Sequence, residues 1–129
     1  MANPNIVSVA TILGGNAGWN LTNTLTTTLV TVAAEYILKI NRIVCANVHG
    51  SAAADLNLYV DGMGSGTTGV TVASGASATY LAKVISVPYQ SSLVVLDTPI
   101  YLMEGDILKG GASASSALDL YISYETLID

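Results

Sequence analysis

A two-residue alternation of apolar and polar side chains governs this chain. Leu56, Leu58 and Val60 alternate with Asn57, Tyr59 and Asp61, and Leu118, Leu120, Ile122 and Tyr124 alternate with Asp119, Tyr121, Ser123 and Glu125. Successive side chains of a β-strand point to opposite faces, so each run predicts a strand with one dry and one wet face. Tyr36, Leu38 and Ile40 alternate with Ile37, Lys39 and Asn41 before the pattern passes through Arg42 into Ile43-Val44-Cys45-Ala46. A strand covered on both faces accounts for that apolar stretch. Thr, Val, Ile and Tyr are abundant, and no segment repeats apolar residues at helical spacing, so no helix is expected.

Read this way, strands are predicted near 5–13, 25–33, 36–48, 54–61, 67–73, 78–87, 92–96, 99–103, 106–112 and 117–126. Pro88 cannot donate to a ladder and closes the segment 78–87. Glu104-Gly105-Asp106 supplies a tight turn, which makes 99–112 a hairpin. Short strands with regular turns indicate an all-β, single-domain antiparallel β-sandwich, and eight strands from Tyr36 onward suit a jelly roll. The length of 129 residues fits one domain.

Composition excludes several classes. Hydrophobic residues make up 51% and charged residues 10%, which argues against intrinsic disorder. The net charge is -5, and the four cations, Lys39, Arg42, Lys83 and Lys109, stand singly. No phosphate-neutralising surface for nucleic acid is expected from them. Mean hydropathy is +0.57, but the uninterrupted apolar runs are far shorter than the roughly 20 residues of a spanning helix, so no membrane partner is expected. The start, Met1-Ala2-Asn3-Pro4-Asn5, carries no positive side chain before Ile6-Val7, so a cytoplasmic site of synthesis is expected. One cysteine allows no internal disulfide.

Residues 1–34 contain no charged side chain, and 36–129 make up the body of the sandwich. The uncharged segment supplies either ordinary outer strands or an arm lying on a neighbouring subunit, where lack of charge avoids desolvation cost. Gly14-Gly15-Asn16-Ala17-Gly18 is read as its hinge or turn. Trp19, directly after, is a core plug or an interface anchor.

Chemical motifs have dull readings. Gly62, Gly64, Gly66 and Gly69 superficially resemble a phosphate-binding loop, but no Gly-Lys-Ser/Thr follows, and a loop tip is the simpler reading. Asp55, Asn57 and Asp61 contain a fragment of a calcium-loop spacing, yet their alternation is that of a strand and sets them on its outward face. His49 reads as a solvent-exposed turn residue and Cys45 as a small apolar core residue. Glu104 and Asp106 belong to a turn rather than to a carboxylate pair for glycoside cleavage. Asn20-Leu21-Thr22 matches a glycosylation sequon by chance. No catalytic, cofactor-binding or metal-binding residue is assigned, no cofactor is expected, and the chain is read as a non-enzyme.

Four stretches carry a resemblance. The opening Met1-Ala2-Asn3-Pro4-Asn5-Ile6-Val7-Ser8-Val9-Ala10-Thr11-Ile12, the middle Lys39 to Val48 and the later Asp97 to Asp106 resemble small virion structural proteins of tailed phages, particularly of cyanobacteria and other marine bacteria. The ending Leu118 to Glu125 is similar to the same family, while Asp61 to Ser77 departs from it. The resemblance implies a virion component present in many copies, like the proteins that decorate or cement capsids. Its expected partners are capsid or tail proteins and further copies of itself, with a homotrimer as the expected assembly. Candidate contact residues are Trp19, Leu25, Leu29 and Tyr89. The competing reading is a tail, neck or fibre-associated module that grips a host receptor or carbohydrate, with Tyr59, Tyr80, Tyr89 and Tyr101 as stacking platforms.

Overall fold

The computed structural model describes residues 11–62 and 78–128. Nine strands follow in chain order: β1 (Thr11–Asn20), β2 (Thr28–Thr31), β3 (Tyr36–Asn47), β4 (Ala54–Asp61), β5 (Thr79–Val87), β6 (Ser92–Leu96), β7 (Ile100–Leu102), β8 (Ile107–Ala112) and β9 (Leu118–Ile128). The described residues contain no helix. The strands form two antiparallel sheets. Sheet A has the order β1-β9-β3-β6, with β7 beside β3, and sheet B has the order β2-β8-β4-β5. The expected all-β sandwich is therefore the fold. The stretch predicted as a strand over 67–73 lies outside the described residues, as do residues 5–10 of the first predicted strand and Gly64, Gly66 and Gly69.

The core lies between the sheets. Ile40, Ile43, Leu118, Leu120 and Ile122 enter it from sheet A, and Leu56, Leu58 and Leu108 from sheet B, all fully buried. Each contributes about 1.5–3 kcal/mol of burial. The inward set of β9 is the one its alternation predicts, with Asp119 and Tyr121 exposed between its members. β3 buries Ile43 and Cys45 on its inner face, while Val44 and Ala46 on the outer face are only half-covered. The apolar stretch is thus dry on one face rather than on both.

Several expectations are corrected. Gly14 to Gly18 are neither hinge nor turn: they lie inside β1, which pairs with β9 without a shift from Thr11 opposite Ile128 to Asn20 opposite Asp119. Residues 11–34 supply one edge strand to each sheet, β1 to sheet A and β2 to sheet B. The strand predicted over 25–33 shrinks to four residues. Before it, the hydroxyl of Thr27 donates to the carbonyl of Thr24 at 2.8 Å and folds the threonine-rich stretch into a turn.

Residues 99–112 do not form a hairpin. β7 pairs with β3 in sheet A and β8 with β4 in sheet B, so Glu104-Gly105-Asp106 is a corner between the layers. Gly105 turns it at φ +85°, a conformation open to glycine. The corner is stitched to the end of β2: Gly105 N–H donates to the Val32 carbonyl at 2.9 Å, and Val32 N–H donates to the Asp106 carbonyl at 3.0 Å.

The outward face of β4 is also drier than alternation predicts, since Asn57 and Tyr59 are both buried. Tyr59 stacks on Tyr80 of β5 with ring centroids 5.1 Å apart. Asn57 turns its side-chain carbonyl to the N–H of Val84. β5 bulges there, and Val84 stands at φ +53°.

Candidate functional site

The two layers part where edge strand β1 faces edge strand β2. The register puts Trp19 opposite Leu120 and Ala17 opposite Ile122, so both point inward from β1. Leu29 and Val30 approach from β2, while Tyr36 and Leu38 of β3 and Tyr124 of β9 complete the lining of a cleft of about 380 Å³. The lining is mostly apolar.

Gly15 shapes this cleft. It sits opposite Tyr124, and a Cβ on it would lie 2.7 Å from the tyrosine Cζ. Without that Cβ the ring lies across β1. A glycine within a strand here marks a close approach, the role assigned to such residues in general.

Of the four candidate contact residues, the cleft unites Trp19 and Leu29. Both are half-buried and pack against the core. Leu25 sits apart in the turn before β2, 43% exposed, and Tyr89 is 50% exposed in the turn between β5 and β6. Tyr36 and Tyr124 were not singled out as contact residues. Tyr124 belongs to the inward set of β9, but its meeting with Gly15 depends on a pairing between distant parts of the chain.

The tyrosines proposed as stacking platforms are dispersed. Tyr59 is buried against Tyr80, which corrects its reading as a platform. The ammonium of Lys83 lies 4.9 Å from the centre of the Tyr80 ring. Tyr80 belongs to the outer face of sheet B, whereas Tyr101, opposite Lys39, belongs to the outer face of sheet A.

The remaining chemical candidates serve the fold. His49 is half-buried rather than solvent-exposed, and its Nδ1 accepts the N–H groups of Ser51 and Ala52, both at 3.1 Å. It organises the loop between β3 and β4. Cys45 is fully buried, and burial together with the charge of Asp119 pushes its thiol up to about 11. Glu104 accepts the N–H of Glu35 at 2.7 Å, and Asp106 accepts the N–H of Met103 at 3.0 Å. Each carboxylate is held by its own backbone partner in the corner.

Asp61 pairs with the ammonium of Lys109 at 2.8 Å, and this hydrogen bond raises the Lys109 pKa. Asn57 of the calcium-like spacing keeps its place on the outward face of β4 but is buried there rather than solvated. Among the described residues no group of three or more His, Cys, Asp or Glu is placed to hold a metal ion. In the sequon, Asn20 donates its amide to Asp119 at 2.7 Å while Leu21 is buried.

The outer face of sheet A is apolar in one row. Val44 of β3 stands between Tyr121 of β9 and Val94 of β6 in register. Tyr121 is 50% and Val94 45% exposed. The row is one residue wide: Arg42, opposite Ser123, flanks it on one side and Asp119, opposite Ala46, on the other, while Glu125 farther along the face is engaged by Lys39 at 3.7 Å and by the amide of Asn41 at 3.2 Å.

The arrangement therefore offers an apolar cleft, an uncharged edge and an apolar row, which are surfaces for contact with other molecules. Comparison with known proteins gave no match: no family model, no curated protein and no solved structure matches the chain.

Proposed function

We propose that this protein is a non-enzymatic structural component of a tailed-phage virion, a decoration or cement protein bound to the major capsid shell. The reading starts from the resemblance of residues 1–12, 39–48, 97–106 and 118–125 to small virion proteins. The observation that carries it is the row Tyr121, Val44 and Val94 across the outer face of sheet A, an apolar strip between Arg42 and Asp119 on a chain with few charges. Such a strip gains by being covered by another protein. We read the winding as a jelly roll. In support, β6 and β7 lie on the same side of β3, and counting them as one interrupted strand gives eight strands in two sheets of four.

On this reading the protein is made in the host cytoplasm and resides in the particle. Locating it in intact particles by cryo-electron microscopy tests the proposal. Density over the capsid shell is expected, and its loss when Tyr121→Glu and Val94→Glu are combined in a folded variant would tie attachment to the row. Finding the protein only in the neck, tail or fibres overturns the capsid assignment. The exposed rings of Tyr89 and Tyr101, 50% and 57% accessible, favour a second reading in that case, a tail-associated role in receptor or carbohydrate binding.

A further inference from the structure

Sheet edges present unpaired N–H and C=O groups, and proteins usually blunt them with short strands, bulges, charges or proline. Three of the edges described here are blunted in those ways. β2 is four residues long with a register shift between Thr28 and Val30. The edge formed by β6 and β7 is split by Pro99, and β6 shifts register beside Ile43 and Val44. β5 carries Lys83, and its pairing is broken twice around the Val84 bulge.

β1 has none of these protections. It runs ten residues in unbroken register with β9 and contains neither a charge nor a proline. Among the described strands, nothing pairs with its other side. Apolar side chains flank this open edge on both faces, with Ile12 46% exposed on the outer face and Leu13 51% exposed on the inner one.

We propose that the free edge of β1 is a self-association surface: two copies pair their β1 strands antiparallel about a two-fold axis and continue sheet A across the dimer. The occupant follows from the edges themselves. A strand that pairs along ten residues must itself be long, regular and unbulged, and among the described edges of this chain only β1 qualifies. Pairing like with like antiparallel gives an isologous, two-fold contact, whereas a closed three-fold ring needs two different surfaces that fit each other. The assembly proposed for this edge is thus a dimer, where the resemblance implies a trimer.

Charge points the same way. Copies with a net charge of -5 repel one another, and β1 lies in the segment 1–34, which has no charged side chain. Pairing there brings no like charges face to face. It also covers Ile12 and Leu13.

The test is the oligomeric state of the isolated full chain, measured by sedimentation across a concentration series. The wild-type chain is expected to dimerise. Asn16→Lys puts a charge at the exposed middle of β1, near the two-fold axis, and is expected to weaken the dimer by about tenfold or more while leaving the circular dichroism unchanged. Hydrogen exchange at high and low concentration supplies a second readout that does not depend on this variant folding. Protection of β1 amides that rises with concentration supports the pairing. A chain monomeric throughout the series overturns the proposal. So does an oligomer whose β1 amides show no concentration-dependent protection, or one that a folded Asn16→Lys variant leaves intact.

Discussion

The side-chain carbonyl of Asn57 accepts the backbone N–H of Val84 at 3.2 Å and anchors a β-branched residue at φ +53°. Left-handed backbone crowds the Cβ, most of all a branched one. Val84 is 59% exposed, so little packing offsets this strain. Val84→Gly is expected to raise stability by about 0.5–1 kcal/mol in urea denaturation, the relief exceeding the added chain entropy. Asn57→Ala is expected to lower it by about 1–3 kcal/mol, because the bulge loses a buried acceptor.

Gly15 and Tyr124 should behave as a coupled pair. Gly15→Ala pushes the Tyr124 ring aside, and Tyr124→Ala alone removes the ring and opens the cleft beside Trp19. In the double variant the steric conflict is gone. A double-mutant cycle of denaturation free energies is expected to show coupling of at least about 0.5 kcal/mol, and strictly additive effects would contradict this packing.

The last strand tests the register directly. Leu120 is 1% exposed, whereas Asp119 faces outward and accepts a hydrogen bond from Asn20. Leu120→Asp is expected to cost several kcal/mol by burying an unpaired charge, while Asp119→Asn should stay within about 1 kcal/mol. Thermal melts that ranked the two in reverse would mean a one-residue slip of β9.

Alkaline pH should weaken the fold in two ways. The Cys45 thiol stays protonated in the folded chain up to about 11, above the ordinary thiol value of 9.0. The folded state therefore keeps a proton that the unfolded chain has already released. Stability is full below the unfolded pKa and falls across that interval by about 2–3 kcal/mol. Lys109, also raised, loses its ion pair with Asp61 as pH climbs through its folded value. Denaturation curves between pH 8 and 11 should show the decline, and Cys45→Ala should flatten its thiol-dependent part. At pH 8 the native thiol should resist iodoacetamide and react once urea unfolds the chain.

Residues whose partners are set by local pattern were legible from the sequence. The inward set Leu118, Leu120 and Ile122 follows from alternation alone, and Pro88 ends its strand where its missing donor requires. Gly14 to Gly18 resemble a hinge because glycine is locally permissive, and they become a strand only through pairing with Tyr121 to Glu125, more than a hundred residues away. The corner at Glu104 to Asp106 has the residues of a hairpin turn. Whether such a turn joins neighbours or crosses between layers depends on which strands already flank each sheet. Asn57 and Tyr59 alternate as a wet face would, but the bulge and the Tyr80 ring dry it. Of the residues lining the cleft, Trp19 and Leu29 stand out in the sequence only as candidate contact residues, and the cleft itself, with Tyr36 and Tyr124, arises from the pairing of β1, β3 and β9.

The position of β9 between β1 and β3 has a consequence for how the molecule is made. Both neighbours precede it in the chain, and each depends on it for its long antiparallel ladder. While the ribosome is still delivering residues 118–128, β1 has no partner in sheet A and its uncharged edge is open on both sides. Closure is therefore late and non-local, a topology associated with slow folding. Nascent chains of this protein are most vulnerable to mispairing with one another until β9 emerges, and the strand that completes the sheet also removes that hazard from one side of β1.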